Sequence, residues 1–391
     1  MVLRLFNTVA PYSGRRIGKN MSDLAISIGK GSLLRAKLFA KSFGVQWLMF
    51  TVPALYLLTN AILFSTLAHH DVVPVFGVLL DLATFSIPCG LLVALVLRLV
   101  QFALIIKPES PAKALVQDIK NIFQKPGALI NGIPILVAMI FYNKAMIELK
   151  PEIPFINAFK WDQTFMQWDR TLHGGVDPWL LLQPLMGYDI VTFLSNIAYD
   201  FWFVALFGSW VWFAFQKQAS LLRTRFFFSY MLIWWIGGGL LAVYFSSAGP
   251  AYYGNLGLEP NPFAALMTYL RDVNTRLPIW SLDTQDLLWN GYIGKADALG
   301  ISAFPSMHNG SAILFALAFR QVSKFWGRFF ACYAALILVT SVHLGWHYAV
   351  DGYAAIVVSV LCWWISGPIA RFVHAQPFMQ RYNQELAALA N

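Results

Sequence analysis

Residues 329–369 read FFACYAALILVTSVHLGWHYAVDGYAAIVVSVLCWWISGPI, and Asp351 is the single formally charged side chain among them. Two apolar runs, about 329–346 and 348–369, flank a short polar turn. Each is near the roughly 20 residues that an α-helix needs to cross about 30 Å of hydrocarbon. A chain inside lipid must satisfy its own backbone polar groups, and a helix does so within one segment. The stretch therefore predicts a pair of membrane helices joined at one face of the bilayer.

Working outward, the same pattern recurs at about 44–66, 76–106, 128–148, 190–215, 226–246 and 307–320. The second of these is long and interrupted by Pro88, and the sixth is short. The whole chain of 391 residues is 58% hydrophobic and 12% charged, with a mean hydropathy of +0.59. Soluble domains carry about 25% charged residues, so a soluble globule is excluded. Cys89, Cys332 and Cys362 all lie in apolar runs, which leaves no disulfide framework, zinc cage or thiol-redox motif. The expected fold is all-α and membrane-integral: a six-helix bundle over 128–370, preceded by two extra transmembrane helices in 43–106. Residues 1–42 form a basic N-terminal segment, in which 22–41 suits a helix on an anionic membrane surface. Residues 371–391 form a tail.

Eight spans put both termini on one side. That side collects eight Lys and Arg before residue 42, four in 107–125, three in 217–225, three in 320–328 and two in 371–381, twenty in all. The opposite side has six: Lys150, Lys160, Arg170, Arg271, Arg276 and Lys295. By the positive-inside rule the termini are cytoplasmic, and the net charge of +9 is topological rather than a nucleic-acid patch. The long loops 149–189 and 247–306 face outward and are rich in Pro, Gly, Trp and Tyr, as ordered caps would be.

The chemistry-bearing residues gather on that outward face. His347 and Asp351 stand at i and i+4, so on a helix they share a face. A carboxylate there holds one imidazole nitrogen as a donor, leaves the other as nucleophile or base, and stabilises positive charge on the ring. His308, from another span, is placed to protonate a leaving alkoxide. Ser306, after Pro305, begins a helix whose N-terminus favours an anion. Together they describe a phosphoryl-transfer site.

Pro305-Ser306-Met307-His308 resembles the second signature of the type 2 phosphatidic acid phosphatase superfamily, and Gly345-Trp346-His347-Tyr348-Ala349-Val350-Asp351 resembles its third. The resemblance covers about 128–370. It implies that His347 attacks phosphorus to form a phosphohistidine, that Asp351 supports it, that His308 protonates the departing group, and that no metal or other cofactor takes part. Two features depart from the pattern. Ser341 stands where the third signature has an Arg, and the Lys and Arg-Pro of the first signature are missing, their place taken by Ser247-Ala248-Gly249-Pro250-Ala251-Tyr252-Tyr253. These departures, with Trp168-Asp169-Arg170, resemble the branch of aureobasidin-sensitive inositol phosphorylceramide synthases, which move a phosphorylated headgroup between lipids.

The resemblance thus implies membrane lipids as donor and acceptor. Candidate phosphate ligands are Ser306, His343, Arg170, Lys144 and Tyr252, with Arg271, Arg276 and Lys295 as further outer cations. A structural ion pair is the plainer reading of Arg170 and Lys144, the latter with Asp200. His69, His70 and His173 read as interfacial residues. The expected protein is a lipid phosphotransferase at the extracytoplasmic surface, by default of a bacterial inner membrane. A lipid phosphatase using water at the same site is the alternative, and a transporter or inactive scaffold a third reading.

Overall fold

The computed structural model describes residues 21–65, 84, 87–124, 126–296 and 300–390. His69, His70, Asp81, the basic residues up to Lys19, and most of 76–86 lie outside the described residues. Within them the chain is helical, with no strand.

The helices run α1 Met21–Val45, α2 Leu48–Phe64, α3 Ile87–Gln101, α4 Pro111–Gln124, α5 Gly127–Ile156, α6 Asp162–Leu172, α7 Pro178–Met186 and α8 Asp189–Ala214. There follow α9 Leu221–Trp235, α10 Ala264–Asn274, α11 Trp280–Tyr292, α12 Met307–Val322, α13 Lys324–His343, α14 Ala349–Ala375 and α15 Pro377–Ala390. A π-helical turn, Ile236–Leu241, carries α9 onward to Tyr244. Its Gly237 and Gly239 are packed against Met307 and Tyr56, where larger side chains would collide.

Five helices (α5, α8, the extended α9, α13 and α14) are long and apolar enough to cross a membrane by themselves. The first predicted span is half of a bent pair, with Ser32–Val45 meeting Leu48–Phe64 at 52°. The second survives as the shorter apolar helix Gly90–Ile106. The sixth is the 16-residue α12. The chain is an integral membrane protein.

Serine side chains set several helix starts. Ser220 accepts the backbone N–H of Arg223, Ser306 that of Asn309 and Ser323 that of Trp326, each relieving one unpaired donor of a first turn. Ser323 alone separates α12 from α13, so the two pack as a tight antiparallel hairpin, with α14 against α12. α2 lies on α5, α9 on α14, and α3 on α8.

Several charged side chains tie the helices together. Arg98 of α3 makes a two-pronged pair with Asp118 of α4, at 2.7 and 2.9 Å. Lys41 of α1 meets Glu385 of α15 at 2.7 Å, which ties these two helices together. Arg223, 1% exposed, donates to the Gln46 side chain at 2.9 Å and to the carbonyls of Ala214 and Asn131. It thereby ties the α1–α2 bend to α5, α8 and α9. Arg223→Met should cost about 1–3 kcal/mol, the usual penalty for stranding buried acceptors, read as a lowered unfolding temperature in detergent. An unchanged temperature would show that this cluster does not anchor the bend.

Candidate functional site

The site is built on the first turn of α14. His347 Nδ1 lies 3.2 Å from Asp351 Oδ2, and the same oxygen accepts the Tyr348 backbone N–H at 3.0 Å. Asp351 is fully buried. Its other oxygen has no hydrogen-bond partner among the described residues, so its hydrogen bonding serves His347 and the helix start. Burial pushes the His347 imidazole down to about 3, with the Lys150 ammonium adding to the fall and the Ala303 carbonyl opposing it. His347 thus rests neutral, the form in which an imidazole nitrogen carries a free lone pair.

Two carboxylates from α6 fix this turn from outside. Asp169 accepts the N–H groups of Ala349 and Val350 at 2.8 and 2.9 Å. Asp162 accepts the Tyr348 hydroxyl at 2.9 Å, the Gly249 N–H at 2.8 Å and the Ala248 N–H at 3.0 Å. The segment 247–253 is therefore held against the turn that carries His347, and Ala251 N–H donates to the Gly345 carbonyl at 2.9 Å. Gly249 adopts φ +103°, and a Cβ there would come within 2.8 Å of the Trp346 carbonyl oxygen. Only glycine combines that backbone with that approach.

The opposite wall is the segment 300–306 leading into α12. Ser306 N–H donates to the Asp351 carbonyl at 3.1 Å, and its hydroxyl accepts the Asn309 amide at 3.0 Å. His308 is held by aromatic faces of α8, stacked on Tyr199 at 4.5 Å and set against Trp202 at 4.2 Å. Tyr199 also stacks with Trp346 at 6.2 Å, the neighbour of His347. Tyr199 thus links the His308 ring to the turn that carries His347. The Lys150 ammonium of α5 is felt at His347.

A sequence model described as the PAP2 superfamily matches residues 163–365. The chain belongs to the PAP2 superfamily. It is an enzyme of that superfamily, whose members are phosphatases and phosphotransferases. No curated protein and no solved structure matches it.

Ser341 stands in the place of the PAP2 pattern's arginine. It is 1% exposed, donates to the Leu338 carbonyl at 2.9 Å and receives the Asn309 amide at 3.3 Å.

The predicted phosphate ligands are placed unevenly. Ser306 touches the dyad through its backbone. His343, fully buried, bonds through Nε2 to Thr192 at 2.9 Å, and Thr192 in turn meets the Tyr269 hydroxyl. Tyr252 donates to the Gln285 carbonyl at 3.1 Å and stacks on Trp289. Arg170 grips Asp177 with two hydrogen bonds, at 2.7 and 2.9 Å. Arg271 pairs with Asp286, and Arg276 with Asp189 and Asp272. Lys295 is exposed. Lys144 needs a correction: it pairs with Glu148 one turn on, not with Asp200. That spacing on one helix face is the shorter reach, and Asp200 instead accepts the Asn196 amide at 3.3 Å.

Three residues escaped the sequence reading of the site. Asp162 and Asp169 carry a signal, being seven residues apart and so two turns along one helix face. Lys150 registered only as one of six outer cations.

Asp169 also gives a pH signature. Burial holds its carboxyl up at about 7 against the ordinary 3.8, the N–H bonds of Ala349 and Val350 opposing the rise and Asp351 adding to it. Between about pH 4 and 7 the folded chain keeps a proton that the unfolded chain has released. Stability from this group is therefore present at low pH and falls as pH rises through that window. Thermal unfolding across pH 4–8 should show this slope in the wild type and a shallower one in Asp169→Asn; equal slopes would remove Asp169 as its source.

Proposed function

We propose that this PAP2 enzyme is a lipid phosphotransferase that moves a phosphate or phospho-headgroup between lipids through a phosphohistidine. The observation that carries the reading is the His347–Asp351 pair, 3.2 Å apart, with an imidazole from a different helix stacked on Tyr199, the ring that also faces Trp346 beside His347. In the first step His347 Nε2 attacks phosphorus, a P–N bond forms and the P–O bond to the donor alcohol breaks. His308 gives its proton to the leaving oxygen. Asp351 holds Nδ1–H and offsets the positive charge gained by the ring. In the second step His308 takes a proton from the acceptor hydroxyl, whose oxygen forms the new P–O bond as P–N breaks.

Two features favour a lipid acceptor over water. The His347 side chain is only 8% exposed. The turn that carries it is walled by aromatic rings, with Phe165 stacked on Phe304 at 4.6 Å and both Phe165 and Phe263 against Tyr348. The charge inventory favours a donor in the phosphodiester class. Arg170, Arg271, Arg276 and Lys144 are all engaged by carboxylates, so the outer face offers few cations for a doubly charged monoester. A diester carries one negative charge. This agrees with the resemblance of Trp168-Asp169-Arg170 and the altered first signature to the inositol phosphorylceramide synthase branch.

In this reading residues 128–370 are the catalytic membrane domain and 43–106 the accessory helices. The site faces the periplasm of a bacterial inner membrane and both termini are cytoplasmic. The charge asymmetry of the loops and the Lys41–Glu385 contact support that arrangement.

The test is incubation of purified protein with phospholipid labelled at phosphorus, with and without diacylglycerol or ceramide. Label should appear in a new lipid. His347→Ala should abolish turnover, and His308→Ala should lose about 10²–10⁴-fold, the usual worth of a positioned acid–base group. Label released to water instead would make the enzyme a phosphatase, and full activity in His347→Ala would falsify the assignment of the nucleophile.

A further inference from the structure

A phosphoryl group between two imidazoles gathers negative charge on its non-bridging oxygens in the transition state, and fixed positive charge nearby is a large part of such catalysis. PAP2 signature cations are missing here: Ser341 stands in the place of an arginine, and 247–253 contains neither Lys nor Arg. The other outer cations are engaged by carboxylates or exposed, as described above.

Lys150 is different. It lies six residues before the end of α5 and outside the matched segment 163–365. Among the described residues its ammonium has no carboxylate partner; the ion pairs of α5 leave it out. Its backbone is the floor on which 300–306 begins: a Cβ at Gly300 would stand 2.4 Å from the Lys150 carbonyl carbon. From there the segment passes Ala303, whose N–H donates to the Ser247 carbonyl at 2.9 Å, and reaches Ser306, whose N–H donates to the Asp351 carbonyl. Seven residues therefore link the Lys150 backbone to the dyad. The hydroxyl of Ser247, buried beside this path, has no partner among the described residues. The positive charge of Lys150 is also felt at His347.

We propose that Lys150 is the phosphate-binding cation of this enzyme, supplied by the first helix of the bundle in place of the PAP2 signature Lys and Arg. The proposal rests on the phosphotransfer reading above. The ammonium contacts a non-bridging oxygen of the donor phosphate, remains there through both steps and gives up no proton. It balances the single negative charge of a diester and the added charge of the five-coordinate state.

Orthovanadate, which adopts that five-coordinate geometry, is the probe. Lys150→Met should weaken vanadate inhibition and lower kcat/KM for a labelled phospholipid, each by about 10²-fold, the usual loss for one transition-state donor. Lys150→Arg, which keeps the charge, should recover most of the vanadate affinity. Unfolding temperatures should match the wild type. A vanadate inhibition constant in Lys150→Met within twofold of wild type would overturn the proposal while leaving the His347 reading intact. Where Lys150→Met does not fold, the wild-type protein serves. Vanadate should slow modification of Lys150 by an amine-reactive reagent, read by mass spectrometry, and modification at an unchanged rate overturns the proposal. The second measurement needs no turnover. A wild-type protein inert toward every labelled lipid therefore counts against the phosphotransfer reading, whereas vanadate protection still decides the role of Lys150.

Discussion

The end of the bundle that carries His347 is organised by two carboxylates on α6. Asp162 and Asp169, seven residues apart, stand on one helix face. The first holds the N–H groups of Ala248 and Gly249 and the Tyr348 hydroxyl; the second holds those of Ala349 and Val350. Both are almost fully buried. A buried carboxylate is costly unless hydrogen-bonded, so each aspartate demands the donors it has, and those donors lie in two separate loops. The result is a clamp: 247–253 and 345–350 cannot separate without exposing a poorly solvated charge. His347, between them, inherits the rigidity.

The membrane fold was largely legible in the sequence because its signal is additive. Twenty consecutive apolar residues need no knowledge of their neighbours, and α5, α8, α9, α13 and α14 appear where periods of hydropathy placed them. The 52° bend between α1 and α2 was not legible, and the contact made at it, Arg223 to Gln46, spans many residues of sequence. The mutual placement of His347 and Asp351 was readable from their i, i+4 spacing. Other pairings were not. Lys144 chose Glu148 over Asp200, and Arg170 chose Asp177, because a helix or a short loop brings those partners near before any tertiary contact forms. Lys150 lies far from both histidines in sequence, so no spacing rule connects them.

The same clamp accounts for how the chain departs from its superfamily pattern without losing a compact site. With Ser341 in the position of an arginine, the hydroxyl–amide chain of Ser306, Asn309 and Ser341 fills the space under the dyad with small neutral groups. Such packing replaces a buried charge with hydrogen bonds and lets α12 and α13 approach closely. It also shifts the burden of positive charge to whatever other helix reaches the site.

The way His308 is mounted has a consequence for a two-step reaction. Its ring is gripped by the faces of Tyr199 and Trp202, while no described side chain or backbone group hydrogen-bonds to either of its nitrogens. A π-stacked imidazole keeps its plane yet is not locked into one tautomer, as it would be by a carboxylate or carbonyl neighbour. In the proposed reaction the leaving and incoming alcohols need not occupy the same point, and an uncommitted ring can present a proton to one and a lone pair to the other without breaking a bond to the protein in between.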